Sequence, residues 1–349
     1  MEETLIAVRE DGVLVQLDLP VSEVLVAPDG SPLIVAHPDT SHYILRDTQT
    51  WADRPLDLPD HLTVARGALL APDGAQFAFF AWSRTDQPLV LGANSATGAV
   101  RTLITGTGAD PITPLAWNGP ILFTHTQISA TSYFWRTDTT AQTSHPQELL
   151  LVGDTGPWAI APNGTSLVWS YMGHPLYLRD LQTNTDYVLT PTTNAYTRPL
   201  ISPNGKMLAL MHERRSGGCC ELLFFDLEKR PPAPMGNALQ IEGLRISVQG
   251  IDGWAWSQDS ERLVVVTPSY IGLLKPDGTL LGQAPLPAGT GFEALRLRDD
   301  DHVLMITRDG ADVRLHIIPV TSNEPGRRKA VRLPAITGSY AIVYLPRAT

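Results

Sequence analysis

Cysteine is almost absent: Cys219 and Cys220 are the only two in 349 residues, and they are neighbours. No long-range disulfide framework can be built from them, and two thiolates need further ligands to hold a metal. A reduced, structural or inert pair is the preferred reading, with a vicinal disulfide or redox-sensitive pair as its competitor. No stretch approaches the ~20 apolar residues of a membrane-spanning helix. Positive charge is also short, since 26 Lys and Arg against 36 Asp and Glu leave a formal net charge of −10 at pH 7. Phosphate binding needs a basic footprint, so nucleic acid is not expected as a partner. Arg327-Arg-Lys329 is the only run of three basic residues, and it reads as part of a solvated polar loop. Met1-Glu-Glu3 opens without a positively charged leader or an apolar segment, so the chain as given is expected to be cytoplasmic. Amphipathic helical periodicity is missing throughout, which points to an all-β chain.

Glycine and proline are plentiful, 28 and 29 residues spread over the whole length, and they punctuate a repeat. A Pro-Asp/Asn-Gly turn followed by a fully apolar strand recurs: Ala27-Pro-Asp-Gly30 before Pro32-Leu-Ile-Val-Ala36, Ala71-Pro-Asp-Gly74 before Gln76-Phe-Ala-Phe-Phe80, and Ala161-Pro-Asn-Gly164 before Ser166-Leu-Val-Trp169. The fullest copy is Ser202-Pro-Asn-Gly205 before Met207-Leu-Ala-Leu-Met211. Ala116-Trp-Asn-Gly119 before Ile121-Leu-Phe123 is a partial copy. Two more have lost the Pro and Gly but keep the polarity: Ser257-Gln-Asp-Ser260 before Arg262-Leu-Val-Val-Val266, and Arg298-Asp-Asp-Asp301 before His302-Val-Leu-Met-Ile306. Counted at positions 28, 72, 117, 162, 203, 258 and 299, the copies lie 41 to 45 residues apart, with one step of 55. That excess is assigned to an inserted loop at Lys229-Arg-Pro-Pro-Ala-Pro-Met-Gly236.

Proline pre-sets φ for the second position of a β-turn, Asp or Asn can bond its own backbone, and glycine accepts φ above zero. The strand after each turn is apolar at consecutive positions, so both of its faces need cover. Radially stacked small sheets supply it. A third strand follows in each period, at Tyr43-Ile-Leu45, Leu89-Val-Leu91, Tyr133-Phe-Trp135, Pro175-Leu-Tyr-Leu178, Leu222-Leu-Phe-Phe225, Ile271-Gly-Leu-Leu274 and Val313-Arg-Leu-His-Ile-Ile318, and a fourth closes the unit. Four strands in ~40–45 residues is the period of a propeller blade. The expected fold is therefore an all-β, single β-propeller domain over residues 1–349, favoured at seven four-stranded blades, with eight as the alternative.

The pattern Pro199-Leu-Ile-Ser-Pro-Asn-Gly-Lys-Met-Leu-Ala209 resembles the TolB-like β-propeller repeat, a relative of the WD repeat, and the resemblance covers essentially the whole chain. It implies fold more than function. Proteins similar to it include periplasmic scaffolds, the propeller domains of prolyl oligopeptidase-like peptidases and a propeller-fold pectate-degrading lyase. No α/β-hydrolase domain accompanies the repeats, so peptidase activity is not implied. Outside the copies, Thr4 to Asp18 reads as a hairpin on Asp11-Gly12, and Ser339-Tyr-Ala-Ile-Val-Tyr-Leu345 as a last strand. Pairing the termini would remove free edges. They either complete the seventh blade or form an incomplete eighth.

In such a fold the loops entering the innermost strands share a face with the loops between second and third strands, and sites collect there. The side chains at those entrances are Glu23, Arg66, Trp158, Arg198, Asp252, Trp254 and Glu293. Together they suit a peptide terminus or a polar small molecule. The competing reading is a ring of salt bridges plugging the channel, with the tryptophans packed between blades. Ser83 to Gln87, Ile128 to Ser132, Glu213 to Cys220 and Lys229 to Asn237 are the longer loops, the ones most free to vary with a partner.

His37, His125 and His212, the last beside Glu213, Arg214 and Arg215, occupy similar repeat positions and raise the question of a metal. Their strand is second from the axis, which would hold them apart, so surface or loop histidines are the better reading. Asp299-Asp-Asp301 lacks the alternating ligand spacing of a calcium loop and reads as a solvated turn. Asn163-Gly-Thr165 matches a glycosylation acceptor but falls in a repeat turn. No Gly-x-Ser-x-Gly elbow occurs. No catalytic residue, metal or cofactor is expected. The preferred function is a non-catalytic scaffold or sensor that binds a protein or peptide, and the alternative is a hydrolase or lyase acting on a polar small molecule or saccharide.

Overall fold

The structure is a computed structural model that describes the chain apart from residues 1–2, 10–13, 22, 27–32, 37–42, 60–61, 65–66, 107, 109, 141–145, 154–157, 172–174, 191–195, 214–219, 242–252, 258, 268–269, 287–290, 298–301, 321–328, 334–338 and 346–349; along several strands it describes the backbone alone. Every regular element among the described residues is a β-strand, and no helix is long and apolar enough to cross a membrane. The strands form seven four-stranded antiparallel blades of the β-propeller class. Two compact units divide them, Met1–Thr155 with Val343–Thr349, and Gly156–Ile342.

The first unit holds three blades. Blade 1 is Glu23–Val26, Leu33–Ala36, Tyr43–Arg46 and Asp53–Pro55. Blade 2 has a first strand broken into Thr63–Val64 and Leu69–Leu70, both paired with Gln76–Trp82, followed by Pro88–Asn94 and Val100–Thr105. Blade 3 is Ile112–Asn118, Ile121–Ile128, Thr131–Asp138 and Gln147–Val152. The second unit holds four. They are Ala159–Ile160 to Thr185–Thr190, Tyr196–Ile201 to Ala233–Ile241, Trp254–Trp256 to Leu280–Pro285, and Gly291–Leu297 to Lys329–Leu333.

The terminal strands pair with one another, but they do not complete the seventh blade. Glu3–Arg9 and Leu14–Val21 form the expected hairpin, and Ser339–Leu345 joins it in a three-stranded sheet of its own. The seventh blade has its own fourth strand, opened by Lys329, which had read as part of a polar loop.

Turn chemistry explains the repeat. In the second copy Gly74 N–H donates to Ala71 O (2.9 Å), Ala71 N–H donates to Gln76 O (2.8 Å), and Asp73 Oδ1 accepts Ala75 N–H (3.0 Å). The Ala161 and Ser202 copies repeat all three bonds, with Gly74, Gly164 and Gly205 at φ of 70°, 64° and 75°. The sixth copy keeps the same turn without the signature residues: Ser260 N–H donates to Ser257 O (3.0 Å), and Ser260 itself stands at φ 66°. Its hydroxyl accepts Asn204 N–H (2.9 Å) from the turn before, and Asn163 Nδ2 in turn donates to Asn204 O (2.9 Å). Three successive turns are thus tied in series. The partial third copy differs, because Asn118 pairs with Ile121 and leaves only Gly119-Pro120 in the turn. The turns of the first and seventh copies lie outside the described residues.

A second periodic signal escaped the sequence reading. Asp or Asn ends the third strand at positions 94, 138, 180 and 226 and directly follows it at 47, and each side chain accepts an N–H two residues on, as Asp47 does from Gln49 (2.8 Å) and Asn94 from Ala96 (3.0 Å). Fourth strands reach the next blade near these turns: Arg101 Nη1 donates to Thr139 O (3.0 Å) and Arg54 to Ala96 O. A Cβ on Gly236 would stand 2.4 Å from Asp277 O.

Two loop expectations are corrected. The inserted loop at Lys229 to Gly236 is only a bend, because Ala233-Pro-Met-Gly236 lies inside a nine-residue fourth strand, Ala233–Ile241, paired with Cys220–Asp226 across a register shift that absorbs the irregular residues. The extra length of that step falls between Ile241 and Trp254. Ile128 to Ser132 is likewise no long loop, since Ile128 pairs with Thr131. Ser83 to Gln87 is a closed turn, with Ser83 N–H on Gln87 O (2.9 Å).

The consecutive apolar strands are covered on both faces by neighbours. In blade 2, Phe77, Phe79 and Ala81 pack with Ile34, Tyr43 and Leu45 of blade 1, while Ala78 and Val90 pack with Ile112, Trp117 and Leu122 of blade 3. In the second unit, Leu208 and Leu210 face Val168 and Leu178, and Ala209 and Met211 face Trp254, Leu263 and Val265. Each fully buried aliphatic side chain contributes ~1.5–3 kcal/mol.

The turn geometry makes Gly205 hard to replace. Its Cβ would stand 2.3 Å from the Asn163 carboxamide, at a φ that L side chains rarely adopt. Gly205→Ala is expected to cost ~2–3 kcal/mol, from left-handed strain and the lost inter-turn bond, read as a lower urea midpoint. Ser260→Gly should be close to neutral, because relieved strain of ~1 kcal/mol offsets a hydrogen bond of similar size.

Candidate functional site

Glu23 opens the first strand of blade 1, level with Ala36 on the second strand and, beyond it, Tyr43 on the third. The small Ala36 between them lets the Tyr43 hydroxyl cross to donate to Glu23 Oε2 (2.7 Å). Tyr43 is itself fixed, its ring 5.2 Å from Phe79 and 5.9 Å from Phe77. From blade 2, Gly67 N–H donates to Glu23 Oε2 (3.0 Å) and Ala68 N–H to Oε1 (2.9 Å). These amides belong to the gap between the two halves of the broken first strand, where Gly67 stands at φ 102°. One carboxylate thus joins the entrances of two inner strands through three donors. Arg66 immediately precedes this pair and lies outside the described residues.

The remaining expected site residues belong to the second unit. Trp254 is 3% exposed and packs among Ala209, Met211, Phe224 and Val265 between two blades. Two residues along the same strand, Trp256 donates its indole N–H to Leu200 O (3.0 Å). Trp158 is half-buried just before Ala159–Ile160. Arg198 and Glu293 lie in the first strands Tyr196–Ile201 and Gly291–Leu297, of which the backbone is described at those positions, and Asp252 lies outside the described residues.

Charged groups elsewhere are tied into the frame. Arg46 and Asp53 form a two-point pair on adjacent strands (2.6 and 2.7 Å), and Arg179 and Asp186 do the same (2.9 and 2.5 Å). Arg230 Nε donates to the buried Asp180 (2.6 Å) across two blades. Burial pushes the Asp180 carboxyl up, but Thr183 N–H, the Arg230 guanidinium and Gln182 N–H outweigh it and hold the group below the usual carboxylate range. Sequence reasoning passed over Asp180; the signal that marks it is its place in the Asp/Asn series at the ends of third strands.

Of the three histidines, His125 is described with its side chain. Its Nε2 shares a hydrogen bond with Ser132 Oγ (2.9 Å), and its ring lies 5.1 Å from Phe134. Burial pushes its pKa below the ordinary histidine value. His37 and the side chain of His212 lie outside the described residues, as do Cys219, the side chain of Cys220 and Asp299 to Asp301. Among the described residues, no three metal-ligating side chains are grouped. Asn163 spends its carboxamide on Thr165 and on Asn204, a turn role that a glycan on Nδ2 would break.

Blades of this construction define a seven-bladed β-propeller protein. No protein family matches the chain, and no curated protein does. Solved structures do. An oligogalacturonate lyase in complex with manganese is 12% identical, covering 91% of this chain and 96% of its own, with a TM-score of 0.62. The oligogalacturonate lyase of Vibrio parahaemolyticus is 11% identical over 88% of this chain and 94% of its own, with a TM-score of 0.61. A TolB-type protein from Agrobacterium tumefaciens is 13% identical over 66% of this chain and 83% of its own, with a TM-score of 0.45. At such identities the likeness is one of fold. The β-propeller implied by the TolB-like repeat is the fold that the chain has.

The His125 environment sets a pH dependence. Because its folded pKa lies below the unfolded value near 6.5, the unfolded chain takes up a proton first as pH falls. Stability is therefore fully present above ~6.5 and declines below it until the folded pKa is passed. His125→Asn should flatten urea midpoints in the window just below pH 6.5 relative to the parent protein. For Trp254, replacement by Ala is expected to cost ~3–5 kcal/mol in the same assay, as a core residue would.

Proposed function

We propose that this chain is a non-catalytic β-propeller scaffold or sensor, one propeller domain acting in the cytoplasm, that binds a protein or peptide on its channel-entry face. The observation that carries this reading is the Glu23 arrangement. A pair of neighbouring backbone amides at an inner-strand entrance already holds a carboxylate, beside Arg66 in the sequence. Backbone amide pairs of this kind capture peptide carboxylates. Arg66, Arg198 and Trp158 are the side chains proposed to meet the partner, with Asp252 and Glu293 supplying opposite charge. Trp254 and Glu23 support them, the first by packing and the second by joining two blades. The partner is a polypeptide, not a nucleic acid, in keeping with the net charge of −10.

A second reading is supported by the fold likeness to the manganese-bound lyase and by His37, His125 and His212 at similar repeat positions. On it the chain is a lyase or hydrolase acting on a polar saccharide or small molecule at the same entrance.

The two readings separate in the laboratory. Affinity capture followed by cross-linking should place a partner next to Arg66 and Arg198, and the double change Arg66→Glu with Arg198→Glu should lower its recovery at least about tenfold without moving the melting temperature. Recovery that survives those changes would remove the binding assignment. Stoichiometric manganese in protein purified without chelator, lost on changing His37 or His212 to Ala, would favour the lyase.

A further inference from the structure

We propose that the backbone amides of Gly67 and Ala68 form a carboxylate-binding site, that Glu23 fills it in the free protein, and that a partner's carboxylate takes Glu23's place on docking. The exchange rests on the peptide-binding reading above; the site itself does not.

Three features of the geometry support it. The two N–H groups are consecutive and meet different oxygens of one carboxylate, Gly67 on Oε2 and Ala68 on Oε1, which is how a backbone nest grips an anion at two points. Glycine at 67 serves that aim directly. A Cβ there would meet nothing nearer than Thr113 Cγ2 at 3.7 Å, so space does not demand glycine; the backbone at φ 102° that turns both amides to the same side does.

The third feature is the character of the grip. A carboxylate meant only as a strut resembles Asp180, buried and paired with a guanidinium. Glu23 is instead half-buried, as are Gly67 and Ala68, and among the described residues the hydrogen bonds it receives come from neutral donors: two amides and the Tyr43 phenol. Replacing one carboxylate by another on these amides leaves the local charge unchanged, and the released Glu23 side chain can be hydrated. The chemistry selected is a carboxylate on a flexible stem, either a peptide C-terminus or an acidic side chain.

Glu23→Ala tests the site. The variant should melt below the parent protein, and acetate, titrated against chloride at equal ionic strength, should restore at least about half of the loss in a saturable way while leaving the parent unmoved. N-acetylglycylglycine should bind the variant at least about tenfold more tightly than its C-terminal amide does. If the amide of N-acetylaspartate binds instead, the acidic side chain is the source of the carboxylate. In the parent protein the Gly67 and Ala68 amide resonances should move with the same ligand at about tenfold or more higher concentration, reporting exchange with Glu23. A Glu23→Ala protein with native circular dichroism and no saturable acetate response would overturn the site. Should that variant not fold, Glu23→Gln keeps the side-chain volume, and Gly67 and Ala68 resonances that ignore acetate in it would overturn the site equally. Parent resonances that ignore every carboxylate would overturn the exchange. The acetate arm needs no biological partner, so it stands or falls apart from the capture experiment.

Discussion

A strand that is apolar at every position cannot be half-wetted, and the rest of this structure depends on that constraint. Met207–Glu213 shows the consequence: Leu208 and Leu210 pack toward one neighbouring blade, Ala209 and Met211 toward the other. Leu263 to Val266 repeats the division, with Leu263 and Val265 on one side and Val264 and Val266 on the other. With no helix among the described residues to cover them, such strands are stable only between sheets. The second strand of a blade is thus the element that makes neighbouring blades necessary to each other, and the polar turns fix the spacing at which they meet.

Much of this was legible in the residues. The second, fourth, fifth and sixth turns, the seven apolar strands and the third strands after them lie where their patterns indicate, because strand pairing and Pro-Asn-Gly chemistry act locally. What was illegible depended on contacts made at a distance. The sixth turn lost its glycine because Ser260 both tolerates the left-handed conformation and accepts Asn204 N–H from the neighbouring turn. Ala233–Ile241 hid behind prolines and a glycine, since pairing with Cys220–Asp226 overrides local breaker signals when a register shift accommodates them. The terminal strands paired as their apolar character suggested, yet no local feature says which sheet an extra strand will join.

The site was less legible than the fold for a related reason. Position along an inner strand identifies a side chain near an entrance but not the direction in which it spends its bonds. Trp254 and Trp158 had equal claims in the sequence, and one is enclosed by Met211, Phe224 and Val265 while the other stays half-exposed. Glu23 was recognisable as an entrance residue, whereas two of its three donors among the described residues are backbone amides, which carry no sequence signature beyond a glycine.

That glycine bears on how function can be carried by a repeat whose side chains are mostly committed to the frame. Arg46, Arg179 and Arg230 are each held by a carboxylate, and Asn163 and Asn204 hold turns together, so changing any of them alters stability before it alters recognition. A backbone amide pair escapes that conflict. It can bind a carboxylate while the side chains around it continue to serve the blades, and it needs only a residue able to adopt φ near 100° and a break in the strand to free two N–H groups from the ladder. Among the described residues, blade 2 is the blade with its first strand so broken, and it is there that Glu23 is held. The irregularity that costs the sheet two ladder positions is therefore the same feature that leaves its backbone available for recognition.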